Sequence, residues 1–203
     1  MPTCQISVLK VSLNKGELHR LAAGHHAVYV EDGEVDISME TTRVGEGAYA
    51  ETGVITPDNN VSCILFSVLR AERGVDGNAL LFEHFDSDAG EAVLRLDQIN
   101  FPPGACAYRH THPGPGIRYL VEGELEIVSD QHRQVMATGS AWFEDANSPV
   151  RATAGAAPAS FVRAMVLPID FLGKPTLNIL SPEDATKPRL QTNKRFFDQV
   201  IRL

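Results

Sequence analysis

The 203-residue chain lacks the features that mark several protein classes. No run of 18 apolar residues occurs, so no membrane-spanning helix is expected. The start, MPTCQISVLKVSLNKGE, has no long apolar segment after a basic region, so no signal peptide is expected. The formal net charge is -8 and Lys and Arg form no block, which argues against nucleic-acid binding.

Cysteine is also scarce. Cys4, Cys63 and Cys106 are odd in number and scattered, so a disulfide framework is not expected. Free cysteines usually behave as small core hydrophobes. The pattern is typical of a protein in a reducing compartment, and we predict a cytoplasmic location.

No long helical periodicity appears, and at most a short helix is expected near SPEDATK (181–187). Short segments rich in Val, Ile, Leu and Phe alternate instead with turn sequences such as PDNN, FPPGA and HPGPG. This pattern favours an all-β sandwich or barrel. The end of the chain, RFFDQVIRL, reads as a last strand that closes a barrel edge or pairs with another chain.

The chain also repeats itself. VYVEDGEVDI (28–37) matches RYLVEGELEI (118–127), 90 residues later, and further matches follow in the same order. We therefore predict two related β units with boundaries at 1–72 and 73–172, followed by a tail, 173–203, that packs on a barrel or on a partner.

The segment YRHTHPGPGIRYLVEGELEI (108–127) carries the main chemical signal. His110 and His112 lie two apart, and strand alternation places both side chains on one face. Two neutral imidazoles form half of a metal site, because a working site normally has three or four protein ligands. The metal predicted from imidazole ligands is Fe, Mn, Ni or Zn.

The segment PPGACAYRHTHPGPGIRYLVEGELEI, followed by GSAWFEDANSPV, resembles the cupin superfamily. The first cupin motif matches at Gly104, His110, His112 and Gly123, and the second begins at Gly139. The resemblance covers roughly 90–170 well and 5–72 more faintly. It implies a bicupin, with two cupin-type jelly-roll β-barrel units in one chain and the ligand site inside a barrel at its open mouth.

The sequence departs from the cupin pattern at several ligand positions. The glutamate ligand falls at Gly116 and the last histidine at Val150. The proline and glycine of the second motif fall at Asp145 and Asn147. In the first unit the histidine and glutamate positions hold no recognisable set: Arg20, Ala22 and His26. Replacement ligands for the second unit could come from Gln98, Glu144 or Asp145.

Arg118 is the second unusual residue. It lies two positions after the inward-facing glutamate position, so it should point into the barrel, where a cation needs a partner. Glu122, Glu144 or a substrate carboxylate or phosphate would suit its planar guanidinium. Trp142 is expected to line the pocket, and Phe143 lies nearby. Alternation places Tyr108 on the same side as His110.

Three functional hypotheses follow. The first is a metal-dependent, dioxygenase-like enzyme that acts on a small organic molecule, with an anion as the candidate that Arg118 suggests. In it His110 and His112 are catalytic metal ligands, while Arg118, Trp142 and Glu144 bind substrate. The second is a non-catalytic small-molecule-binding cupin. The third is a metal-free epimerase or isomerase with His110 or His112 as base and, if it points into the pocket, Tyr108 or Tyr119 as acid. The expected partners are a small molecule and a second copy in a homodimer, without membrane or nucleic acid.

Overall fold

The structure is a computed structural model that describes residues 3–37, 40–73, 77–87 and 90–203. Strands dominate it. The first half contains β1 Thr3–Leu13, β2 His19–Leu21, β3 His25–Asp32, β4 Glu34–Ile37, β5 Glu40–Arg43, β6 Gly47–Ala50, β7 Gly53–Pro57, β8 Val61–Arg70 and β9 Leu81–Asp86.

The second half repeats this succession of strands and adds a short helix, α1, at Pro182–Ala185. Its strands are β10 Glu91–Phe101, β11 Cys106–Thr111, β12 Gly116–Glu122, β13 Glu124–Ser129, β14 Arg133–Ala137, β15 Ala141–Glu144, β16 Val150–Ala154, β17 Ala159–Pro168, β18 Asn178–Ile179 and β19 Thr192–Arg202. Ser181 caps the short helix by accepting a hydrogen bond from the Asp184 N–H.

The strands form two barrels of two sheets each. In the first barrel, the inner sheet has the order β6-β3-β8-β1-β9 and the outer sheet has the order β2-β7-β4-β5. In the second barrel, the inner sheet is β15-β12-β17-β10-β19 and the outer sheet is β14-β13-β16-β11-β18. The two strand orders correspond, so the all-β, two-barrel prediction is confirmed.

Each inner sheet ends in a strand that comes late in its half of the chain. β9 pairs with β1 along Thr3–Val8, so residues 81–86 belong with the first barrel, unlike the boundary expected at residue 73. The free edge of β1 supplies the hydrogen-bonding groups for this addition. β19 pairs with β10 over Glu91–Asn100, so the tail closes the edge of its own barrel.

The inner sheets of the two barrels pack against each other. Their facing side chains form one buried hydrophobic cluster, to which both barrels contribute. In β12, for example, Ile117 and Tyr119 join this cluster, while Leu120 joins the separate core inside the second barrel. Period-two alternation therefore sends every other inner-sheet residue to the contact between barrels and the rest to a barrel interior.

Among the residues that the structure describes, no helix has the length and apolar character needed to cross a membrane.

Candidate functional site

His110 and His112, the histidines predicted to form the site, lie at the end of β11, inside the second barrel. Their ring centroids are 4.9 Å apart in an edge-on arrangement, and each residue is 4% exposed. Val150 of β16 lies directly opposite His110 in the outer sheet. The prediction that both rings share one face agrees with this geometry.

His112 is held by two partners that fix its protonation. Its Nδ1 lies 3.2 Å from the carbonyl oxygen of Thr176, and its Nε2 lies 2.9 Å from Nη1 of Arg163. A carbonyl only accepts and a guanidinium only donates, so Nδ1 carries the proton and Nε2 is the acceptor. Burial, reinforced by Arg163 and Arg118, sets the pKa of His112 well below its usual value, so the ring is neutral.

His110 has one open nitrogen. Its Nδ1 donates to the carbonyl oxygen of Tyr108 at 2.7 Å, and its Nε2 has no hydrogen-bond partner among the residues that the structure describes. Burial lowers the pKa of His110, and the nearby Glu144 carboxylate opposes this effect. His110 therefore presents a neutral imidazole with an available lone pair.

A row of four side chains crosses the inner sheet of the second barrel. Strand registers place Arg118 opposite Trp142 on one side and opposite Arg163 on the other, and Arg163 opposite Asp97. We call these four residues the charged row: Trp142, Arg118, Arg163 and Asp97. Such a row in a barrel interior requires each charge to have a partner.

Arg163 and Asp97 form a two-pronged ion pair. Nε of Arg163 donates to Oδ1 of Asp97 at 2.7 Å, and Nη2 donates to Oδ2 at 2.9 Å. Asn193 of β19 adds a further hydrogen bond to Oδ2 at 2.8 Å. Asp97 and Arg163 are 1% and 6% exposed, so the pair is almost completely shielded from water.

Arg118 is fully buried beside Glu144. Its Nη1 donates to the Gly116 carbonyl at 2.6 Å, and its Nη2 lies 2.7 Å from Oε2 of Glu144. That Nη2 contact is an ion pair without an aligned hydrogen bond, so the buried Nη2 lacks a hydrogen-bond partner among the described residues. Burial lowers the pKa of Arg118 to about 10, which still leaves a cation at neutral pH. The other Glu144 oxygen, Oε1, accepts from Nε1 of Trp142 at 2.9 Å.

A cavity of about 290 Å³ lies against these groups. Its polar lining includes His110, His112, Arg118, Glu144 and Arg163. Most of the remaining barrel walls are apolar or aromatic: Ile99, Phe101, Ala107, Trp142, Ala152 and Phe161. A mainly apolar pocket with a few convergent polar groups is typical of a small-molecule site.

The tail supplies the rest of the lining. Leu177, Arg189, Gln191 and Asn193 all border the cavity, although no local sequence signal marks them. Arg189 is exposed and has no ion-pair partner among the described residues. Gln191 Oε1 is buried without a hydrogen-bond partner among those residues. The tail thus adds one uncompensated positive charge and one unsatisfied acceptor to the cavity.

Of the predicted substrate-binding residues, Arg118, Trp142 and Glu144 all line this cavity with the two histidines. Tyr108 does not. A bulge in β11 shifts the register between Ala107 and His110, so alternation fails there. The Tyr108 ring lies instead under the Lys187 ammonium, 5.3 Å away, and borders a different groove. The prediction that Tyr108 shares the side of His110 is therefore wrong.

Two of the suggested replacement ligands also point elsewhere. Gln98 lies between the inward-facing Asp97 and Ile99, and its amide donates to Ser160 Oγ at 2.9 Å. Asp145 is exposed, and its Oδ1 accepts from the backbone N–H of Ala146. Phe143, expected near the pocket, packs instead against the cluster between the barrels.

Sequence reasoning missed Asp97 and Arg163. Each interrupts an apolar strand, VLRLDQINF and ASFVRAMVLP, and a charge within such a strand was the available signal. The pairing of β10 with β17, which places Asp97 opposite Arg163, cannot be read from the sequence and appears only in the folded structure.

The residues present do not fit a divalent metal. Arg163 occupies the lone pair of His112, and Glu144 is engaged by Arg118 and Trp142. A side chain at Gly116 has no space, since a Cβ there would lie 2.4 Å from the Ala164 carbonyl oxygen. Among the described residues, no group of three or more His, Cys, Asp or Glu is placed to hold an ion. The site therefore offers one free imidazole, whereas a divalent metal needs three or four protein ligands.

Comparisons with known proteins address the fold. The Cupin domain family matches residues 98–164, which span β11 to β16 together with the last four residues of β10 and the first six of β17. A comparison of the sequence with curated proteins gives no match. The charged row and both histidines lie within the matched segment, except for Asp97.

Solved structures with the same architecture share little sequence with this chain. The Lactobacillus farciminis oxalate decarboxylase in its formate complex is 13% identical, with a TM-score of 0.61 over 91% of this chain and 82% of that chain. The coconut allergen cocosin is 9% identical, with a TM-score of 0.57 over 80% and 77% of the two chains. A cupin 2 conserved barrel domain protein from Leptotrichia buccalis is 16% identical, with a TM-score of 0.50 over 79% and 88%. The domain match thus identifies a cupin domain at residues 98–164, and the solved structures show that the chain as a whole has the same two-barrel fold.

Proposed function

We propose that the second barrel binds a small organic carboxylate, with the carboxylate at Arg118 and an apolar portion against the aromatic walls. The observation that carries this proposal is the completely buried guanidinium of Arg118, whose Nη2 has no hydrogen-bond partner among the described residues. Nη2 meets Glu144 as an ion pair without an aligned hydrogen bond, so a ligand carboxylate that displaced Glu144 would supply the aligned hydrogen bonds that a guanidinium prefers.

The charges of the cavity favour an anion. Arg163 is neutralised by Asp97 and Arg118 is neighboured by Glu144, whereas Arg189 at the cavity has no ion-pair partner among the described residues. A guanidinium presents a planar set of donors that matches a carboxylate. The apolar lining, including Phe101, Trp142 and Phe161, suits an organic substituent better than a bare inorganic anion.

The proposal does not include metal-dependent oxygenase chemistry at His110 and His112. An oxygenase must retain its metal, and the lone pair of His112 is already occupied by Arg163. His110 Nε2 is available instead as a hydrogen-bond acceptor for the ligand. The cytoplasmic location and the homodimer stay predictions.

Trp142 provides a direct test, because it is the only tryptophan of the chain and lines the cavity. Its fluorescence should change on titration with carboxylates of increasing apolar size, such as acetate, butyrate and benzoate. The uncharged amides of the same acids serve as matched controls and should have little effect. An equal response to acids and amides would contradict recognition of the carboxylate.

A pair of variants tests the role of Arg118. In Arg118→Met/Glu144→Gln both charges are removed together, so no buried carboxylate loses its counter-ion. We expect carboxylate affinity to fall about 10-fold or more, which corresponds to about 1.4 kcal/mol. Arg109→Gln is the control, because Arg109 is an exposed arginine paired with Asp130. Unchanged affinity in the double variant would contradict the proposal.

A further inference from the structure

Arg163 makes one contact that its ion pair does not require. Two of its nitrogens are used by the Asp97 carboxylate, which already neutralises the charge. The third, Nη1, donates to Nε2 of His112 at 2.9 Å. The guanidinium therefore bridges a carboxylate and an imidazole within the barrel.

An imidazole nitrogen has a single lone pair, which can bind a metal or accept a hydrogen bond but cannot do both. Thr176 accepts the proton on Nδ1 of His112, so only Nε2 could act as a metal ligand. That atom is the one that Arg163 occupies. Arg163 therefore competes with a metal for this lone pair and for space, and its charge, which also helps to lower the pKa of His112, disfavours a second cation there.

We propose that Arg163 is a built-in cation that occupies the ligand lone pair of His112 and keeps divalent metals out of the second barrel. His110 Nε2 is then the one imidazole acceptor of this pair that remains open to the cavity. Because this inference concerns Arg163 alone, it does not depend on which ligand the cavity binds.

The wild-type protein provides the first test. Long-range proton–nitrogen NMR spectra of histidine-labelled protein should show His112 with its proton on Nδ1 and a hydrogen-bonded Nε2. Addition of Zn²⁺ alone, a metal that imidazole binds well, should leave the His112 resonances unchanged. A proton on Nε2 of His112, or Zn²⁺ bound by His112 in the wild type, would overturn the proposal.

Removal of the guanidinium provides the second test. Arg163→Ala leaves His110, His112 and Asp97, two imidazoles and a carboxylate, around the space that the arginine side chain had filled. We expect at least 10-fold tighter Zn²⁺ binding than in the wild type, with His112 resonances that now shift. A folded Arg163→Ala protein without this gain would contradict exclusion by the guanidinium.

Arg151→Ala is the matched control, because Arg151 is a half-exposed arginine of the outer sheet whose guanidinium lies 3.8 Å from Glu126. It should show no gain in Zn²⁺ binding. Circular dichroism establishes that each variant is folded. If Arg163→Ala does not fold, the wild-type measurement still decides. A failure of carboxylate binding would refute the proposed function but leave the His112 spectra unaffected.

Discussion

The two barrels use the same strand order around different interiors. In the first barrel, registers place Val28 opposite Ala48 and Leu65, and Leu65 opposite Leu9. These four positions correspond to the charged row of the second barrel, and all four are apolar. Val28 and Leu65 belong to the core that fills the first barrel.

This difference shows what distinguishes a filled barrel from one with a cavity. Both barrels have five-stranded inner sheets and corresponding strand pairings. The fold therefore does not decide whether a barrel has a ligand site. Here the barrel with the charged row has a cavity lined by Arg118, Trp142 and Arg163, whereas a hydrophobic cluster that includes Val28 and Leu65 fills the other.

The largest expected effect comes from replacing a residue of the charged row with the apolar residue that holds the corresponding position in the first barrel. Arg163→Leu introduces the residue found at Leu65 and leaves the Asp97 carboxylate buried without its counter-ion. We expect a loss of about 3–5 kcal/mol in the free energy of unfolding. Urea denaturation, followed by both Trp142 fluorescence and circular dichroism, measures this loss and shows whether the transition is two-state.

The double variant Asp97→Leu/Arg163→Leu is the control, because it copies the Leu9/Leu65 pair of the first barrel. Replacing a complete buried ion pair with apolar residues is often neutral or stabilising. We therefore expect it to recover most of the stability lost in Arg163→Leu. A double variant as unstable as the single one would show that the charge is not the reason for the loss.

Much of this architecture follows from sequence patterns. Alternation correctly placed His110, His112 and Arg118 inside the second barrel, and the repeat correctly indicated two related units. These successes share a cause: period-two alternation is a local property of a strand. The pairing of Arg118 with Glu144 was also among the expected alternatives, and the structure selects it.

The errors arise where local rules stop applying. Tyr108 was misplaced because a bulge interrupts alternation, and bulges leave no reliable mark in a single sequence. Arg189 and Gln191 were missed because the tail reaches the cavity only through long-range strand pairing. The occupied lone pair of His112 likewise depends on a contact between residues 51 positions apart.

The second prediction concerns Gly116, a position at which the two barrels differ in the side chain that they carry. His26 holds the equivalent position in the first barrel, opposite Ser67 as Gly116 is opposite Met165. An added Cβ at Gly116 would lie 2.4 Å from the Ala164 carbonyl oxygen and 2.8 Å from Met165 Cγ. Gly116→Ala should therefore cost about 1–3 kcal/mol through overpacking.

Gly155→Ala is the matched control for this prediction. A Cβ at Gly155 would meet nothing closer than Glu124 Oε1 at 3.9 Å, so its stability should stay within about 0.5 kcal/mol of the wild type. Urea denaturation of the two alanine variants compares them directly. Equal stability of the two would show that the second barrel can accommodate a side chain at Gly116, as the first does at His26.

The smallest expected effect is a pH dependence of the folding stability that arises from His26 in the first barrel. His26 is 2% exposed, donates from Nε2 to the Ala22 carbonyl at 2.7 Å, and accepts from Ser67 Oγ at Nδ1. Both contacts suit a neutral ring. Burial lowers the pKa of His26, and the neighbouring His25 and His19 add to this effect against the opposing bond to Ala22.

Because the folded pKa lies below the unfolded value of about 6.5, the unfolded chain binds the proton more readily. The contribution of His26 is therefore fully present above pH 6.5 and is lost as the pH falls toward its folded pKa, with a slope of up to about 1.4 kcal/mol per pH unit. His26→Gln, whose amide can keep one hydrogen bond, should reduce the slope of Tm between pH 7.5 and 5.5. His84→Gln, at an exposed histidine, should leave it unchanged. If both variants keep the wild-type slope, the acid sensitivity belongs to the second barrel, where burial also lowers the pKa of His110 and His112.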